Sequence, residues 1–171
     1  RAQSFLLAGY KRLPQVARVI RDQAGQTNLL LADLLFLSEV DAINQRRRAR
    51  MVDLARESVS GDFTDCRVGV LGASFKPNSD DIRDSPALDV ATRIHEAGAT
   101  VTVYDPAANL TGRAVAPGLR FAANPVVACR HADLVLHLTE WAEFRELDPG
   151  QIGRAVRRKV LIDARNALDV A

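Results

Sequence analysis

The stretch R-V-G-V-L-G-A-S-F-K-P-N-S-D-D-I-R-D-S-P-A-L-D-V-A-T-R-I-H-E-A, residues 67–97, followed after Gly98-Ala99 by T-V-T-V-Y at 100–104, decides the fold. Its first five residues are a short apolar, β-branched run, which reads as a strand. Ser85 is a good N-cap and Pro86 suits the first helical position, so 85–97 reads as a helix that Gly98 ends. A second strand follows at 100–104. The same alternation continues outward: a short strand at 119–122, a helix at 124–131 behind the Asn124-Pro125 cap, a strand at 133–138, a helix at 140–147, a further helix from Pro149 toward Arg157, and a last strand at 160–163. Strands alternating with helices at this spacing predict an α/β fold, a parallel sheet with helices on both faces. Right-handed crossovers then make it a doubly wound, Rossmann-like sheet.

Upstream, 29–58 contains no Gly or Pro and reads as one long helix. Leu30, Leu34, Leu37, Val40 and Ile43 mark a wide apolar face. About 30 residues at 1.5 Å each span ~45 Å, more than a small domain needs. Such a helix connects domains or packs on its copy in another subunit, which predicts a homodimer. Residues 1–28 read as a peripheral helical or loosely tied segment, 29–60 as the central helix, and 61–171 as the sheet domain. Arg46-Arg47-Arg48 with Arg50 could signal nucleic acid, but the whole chain of 171 residues carries a net charge of only +2, which favours a solvated face or a phosphate contact.

With 47% hydrophobic and 26% charged residues the chain is neither disordered nor fibrous. Its two cysteines make no disulfide framework and no four-ligand zinc site, which suits a cytoplasmic, reducing compartment. The apolar stretch 29–37 holds Asp33 and falls short of the ~20 residues a membrane span needs. The start at Arg1 rather than Met suggests a piece of a longer protein.

In sheets of this kind ligands lie beyond the carboxyl ends of the strands. A dinucleotide site would show G-x-G-x-x-G there. The loop after residue 71 instead runs Gly72-Ala73-Ser74-Phe75-Lys76-Pro77, without the third glycine. Lys76 and Arg83 flank a helix start, which suits an anion held by side chains. The alternative is that both are ordinary loop cations paired with Asp80, Asp81 and Asp84. Asp105 stands where dinucleotide folds keep a ribose-binding acid, but reads better as a turn cap with Pro106. Trp141 and Phe144 read as packing.

The segment F-K-P-N-S-D-D-I-R-D-S-P-A-L at 75–88 resembles the carboxy-terminal domain of the UDP-glucose/GDP-mannose dehydrogenase family. V-Y-D-P at 103–106, T-E-W-A-E-F at 139–144 and D-A-R-N at 163–166 are similar to further motifs of that family, in the same order, and E-V-D-A-I-N-Q-R-R-R resembles its central dimerisation helix. The resemblance covers about residues 29–171 and looks most like the UDP-glucose branch, with the GDP-mannose and UDP-N-acetylmannosamine branches as alternatives. It implies that Phe75, Lys76 and Arg165 contact a nucleotide sugar such as UDP-glucose. It also implies that Arg83 reaches an NAD held mainly by another, amino-terminal domain. From the residues alone, Arg165 could instead pair with Asp163 or a helix C-terminus.

Family members oxidise a primary alcohol to a carboxylate through a cysteine thioester. Cys66 and Cys129 do not match that cysteine motif and read as structural. His95, His131 and His137 have no nucleophile or metal-spaced partner. No catalytic residue and no metal is expected in this chain, which is expected to be inactive alone. Two other readings compete: a stand-alone NAD-binding module, and a non-enzymatic dimerisation or regulatory domain.

Overall fold

The computed structural model describes residues 27–168, with side chains from Leu35 onward. The expected peripheral segment at 1–28 lies almost wholly outside the described residues. The long helix α1 spans Thr27–Ser58. Contacts divide the chain within it, into one compact unit up to Arg47 and another from Arg48 onward.

The second unit alternates as the sequence predicts. It contains β1 (Arg67–Leu71), α2 (Pro86–Glu96), β2 (Thr100–Tyr104), α3 (Asn109–Val115), β3 (Arg120–Phe121), α4 (Pro125–Ala128), β4 (Leu134–His137), α5 (Ala142–Arg145), α6 (Pro149–Ala155) and β5 (Leu161–Asp163). The five strands form one sheet in the order β3-β2-β1-β4-β5. Every pairing is parallel, with Val68 opposite Val101 and Leu134, and Leu136 opposite Ile162. The order reverses between β1 and β4, so the switch point of this doubly wound sheet lies between their carboxyl ends.

Alternation along the strands builds two cores. Val68, Val70, Val101, Val103, Leu134 and Leu136 face Val52, Ala55 and Val59 of α1 and the apolar stripe of α2. That stripe is Ala87, Leu88, Val90, Ala91 and Ile94, the spacing of a helix with one buried side. Fully buried Ile94 alone contributes roughly 1.5–3 kcal/mol. On the other sheet face Leu71 and Val135 pack with Ala128, Cys129, Trp141 and Phe144.

Three elements depart from expectation. The 124–131 helix shrinks to four residues: Asn124 caps it, accepting from Val127 N–H at 2.9 Å, but His131 adopts φ 58° and cannot continue a helix. The helix expected at 140–147 is likewise one turn, starting after an extended Trp141. The helix α3 has no counterpart in the sequence reading. Gly112 at its centre lowers its intrinsic propensity, yet a Cβ there would come within 2.6 Å of the Phe121 ring, so glycine is what lets α3 dock on β3. No helix among the described residues is long and apolar enough to cross a membrane.

Candidate functional site

The carboxyl ends of β1, β4 and β5 lie side by side, and the loops that follow them are tied together from the backbone up. Gly72 leaves β1 at φ 98°, where a side chain is strained, and a Cβ would fall 2.4 Å from Thr139 Cβ and 2.6 Å from Thr139 N. The loop after β1 therefore meets the loop after β4 with no space between. Thr139 Oγ1 donates to Ser74 O at 2.9 Å, and Trp141 Nε1 donates to Ser74 Oγ at 3.1 Å.

Asp105, at the end of β2, is the hub of this junction. One carboxylate oxygen accepts from the N–H groups of Ala73 (2.7 Å) and Ser74 (2.9 Å), from Ser74 Oγ (2.9 Å) and from Trp141 Nε1 (3.2 Å). The other accepts from Ala107 N–H (3.0 Å) and Ala108 N–H (2.8 Å). Burial works to raise its pKa, but the four backbone donors outweigh it and hold the carboxyl below its ordinary value. The turn-capping role read from Asp105-Pro106 is thus present and enlarged, since Asp105 also fixes the loop after β1. Buried Trp141 is a packing residue with its indole N–H satisfied.

The loop 75–85 is closed at both ends. Phe75 N–H donates to Asp81 O at 2.8 Å, and Ser85, which caps α2 by accepting from Leu88 N–H, donates its hydroxyl to Ala73 O at 2.6 Å. Arg48 on α1 donates to Asp84 O at 3.2 Å. Phe75 is half-buried and Lys76 exposed. Lys76 makes no ion pair among the described residues, whereas Arg83 forms a two-pronged pair with Asp81 (2.9 and 2.8 Å). Hydrogen bonding to Arg83 lowers the Asp81 pKa to about 2.

Arg165 follows β5. Its guanidinium pairs with Glu140, Nε with Oε2 and a terminal nitrogen 2.8 Å from Oε1, and this pairing lowers the Glu140 pKa. The partner is therefore neither Asp163 nor a helix end; Asp163 instead accepts the Arg165 backbone N–H at 2.9 Å. The sequence reading did not single out Glu140 as the partner of Arg165, nor Arg48 and the buried His137 as parts of this region. A carboxylate directly after a strand, as in Leu138-Thr139-Glu140, is the signal that could have found the first.

These contacts join Ser74 to Thr139 and Trp141, and Glu140 to Arg165, along one end of the sheet. Lys76, Arg83 and Arg165 share no direct hydrogen bond or ion pair with one another among the described residues. Both thiols are buried. Burial pushes Cys66 up, with the Asp133 charge adding to it, and pushes Cys129 up to about 12. Neither is poised as a thiolate nucleophile at neutral pH. The described residues include no cluster of His, Cys, Asp and Glu that could hold a metal ion.

The chain is similar to proteins of known family. Residues 69–170 match the model of the UDP-glucose/GDP-mannose dehydrogenase family, UDP binding domain. The chain is 39% identical over 125 residues to a UDP-glucose 6-dehydrogenase of Rhizobium meliloti, a match covering 73% of this chain and 29% of that protein. It is 39% identical over 123 residues to UDP-glucose 6-dehydrogenase AglM of Haloferax volcanii, covering 72% and 28%. The structure of a UDP-glucose dehydrogenase from Pyrobaculum islandicum superposes with a TM-score of 0.69 at 32% identity, over 78% of this chain and 29% of that one. The matched region is thus under a third of the length of these relatives.

Proposed function

The chain belongs to the UDP-glucose/GDP-mannose dehydrogenase family, and from that premise we propose that it is the nucleotide-sugar-binding portion of an NAD-dependent UDP-glucose 6-dehydrogenase, which converts UDP-glucose to UDP-glucuronate. The observation that carries the reading is the hydrogen-bonded track along the sheet's carboxyl end, from the loop of Phe75 and Lys76 through Thr139 and Glu140 to Arg165. It holds three of the resembling segments against one another where ligands of such sheets bind.

Each residue has a physical task in this reading. Lys76, exposed and without an ion pair among the described residues, meets the diphosphate as a point charge. Arg165 offers a planar fork held in orientation by Glu140. Phe75 supplies flat apolar surface that keeps water from the ligand.

The switch point of this domain does not fit a dinucleotide. Both oxygens of Asp105 are taken by N–H groups of its own chain, and Gly72 packs directly against Thr139. NAD in this reading is bound mainly by a part of the protein outside this domain, with Arg83 reaching it once released from Asp81. Neither cysteine among the described residues is poised as a nucleophile, and in this reading the domain is inactive alone.

A homodimer through α1 belongs to the same proposal. Leu35, Phe36 and Ile43 are exposed along that helix at 62%, 69% and 38%, an apolar row that a second copy would cover.

Calorimetric titration with UDP and UDP-glucose tests the proposal. Saturable binding is expected, weakened about tenfold in Lys76→Gln and in Arg165→Gln, the effect of losing one charged hydrogen bond. No heat at millimolar ligand from a folded sample sinks it.

A further inference from the structure

We propose that the opposite end of the same sheet carries a second anion site, for a small diphosphate-bearing molecule, formed by Arg67, Thr100, Thr102, Arg120, Arg130 and His131.

The site follows from strand register. Arg67 pairs with Thr100 across β1 and β2, and Thr102 pairs with Arg120 across β2 and β3. Thr100 and Thr102 are two apart on one strand, so both hydroxyls lie on one face, opposite buried Val101 and Val103. The register thus sets an Arg–Thr pair beside a Thr–Arg pair on a single surface. The short helix α4 covers the middle of this face, settled so closely on β1 that a Cβ on Gly69 would meet Ala128 O at 2.9 Å. Beyond its end the chain turns through Arg130 and His131, and the turn forms the far wall of a cavity of about 220 Å³ over the starts of the strands. That is room for several waters, enough for two linked phosphates.

The charges are arranged for an incoming anion. No carboxylate side chain lines the cavity. Arg67, Arg120 and Arg130 have no acidic partner within 4 Å among the described residues, whereas arginines such as Arg83, Arg157 and Arg165 each have one. Three exposed arginines lining one cavity without a counter-charge repel one another. A polyphosphate reverses that term and accepts both the forked guanidinium donors and the threonine hydroxyls. The cavity is separated from Lys76 and Arg165 by the length of the strands, about 15 Å at ~3.3 Å per residue. It is therefore a different site from the nucleotide-sugar site, and its existence does not depend on that reading.

The test is a titration of the full chain with inorganic pyrophosphate at low salt, followed by backbone amide NMR shifts. Saturable shifts are expected at Thr100, Thr102, Arg120 and Arg130. Arg130→Gln, in an exposed turn where folding is not at stake, should weaken binding about tenfold, and Arg67→Gln with Arg120→Gln should abolish it. Arg154→Gln, whose arginine lies outside the cavity, and Lys76→Gln should leave it unchanged. Shifts confined to 72–83 and Arg165 and lost in Lys76→Gln would place pyrophosphate in the nucleotide-sugar site and overturn the proposal. So would unsaturable shifts spread over all exposed arginines, or affinity indifferent to Arg130→Gln.

Discussion

The ring of His137 donates from Nδ1 to Oδ1 of Asp163 across 2.8 Å, while the same carboxylate accepts the backbone N–H groups of Arg165, Ala167 and Leu168. His137 is fully buried on β4 and Asp163 ends β5, so the pair fastens the loop that carries Arg165 to the sheet. Burial works to raise the Asp163 pKa, but the Leu168 N–H, His137 and the other donors outweigh it and bring it to about 2. A carboxylate depressed on folding stabilises the native state above its unfolded value near 4, and that stability is lost as pH falls toward 2. Asp163→Asn should therefore cost about 2 kcal/mol at pH 7 and flatten the loss of stability between pH 4 and pH 2. Urea unfolding at pH 7, 4 and 3 measures both; identical acid profiles for the two proteins would contradict the assignment.

Gly72 and Gly61 both have positive φ, 98° and 93°, but only Gly72 is walled in. Gly72→Ala forces a Cβ into Thr139 and should destabilise by about 3 kcal/mol or more. Gly61→Ala meets open space and should cost about 1 kcal/mol. Equal midpoints in chemical denaturation would show that the β1–β4 junction yields.

Asp105→Asn replaces a charged acceptor of buried N–H groups by a neutral amide whose NH₂ faces donors. A loss of roughly 2–4 kcal/mol is expected, with weaker UDP binding as the loop after β1 loosens. Thermal unfolding together with UDP titration reads both; full stability with intact binding would remove Asp105 from its place as the hub.

Cys66 and Cys129 should resist a thiol reagent at pH 8 in the folded protein and react at once in denaturant. Fast labelling of either under native conditions would contradict the burial of its thiol.

Light scattering should give a dimer at micromolar concentration, and Phe36→Glu with Leu35→Glu should give a monomer of unchanged circular dichroism. A monomeric parent protein ends the dimer proposal.

The fold was legible because β1, α2 and β2 each carry their own local signal: β-branched runs, the Ser85-Pro86 cap and the Gly98 stop. What escaped reading was set by tertiary contact. Nothing local announces α3, because its Gly112 is required by a ring of Phe121 nine positions away. The helix expected at 124–131 stops after Ala128 because the chain turns back at His131, whose N–H donates to Ala155 O at 2.8 Å. At the candidate site, the basic residues were visible as residue types, while their partners were not. Glu140 reaches Arg165 across 25 positions, and Arg83 takes Asp81 rather than Asp80 or Asp84, choices made by the path of the loops.

The outermost strands of the sheet are its shortest, two residues in β3 and three in β5. They leave almost no row of open backbone donors and acceptors for a neighbouring chain to zip onto. Any self-association of this protein is therefore steered away from cross-strand pairing and toward side-chain packing, and a concentrated solution of it should resist conversion to fibrils better than a sheet of the same size with long flanks.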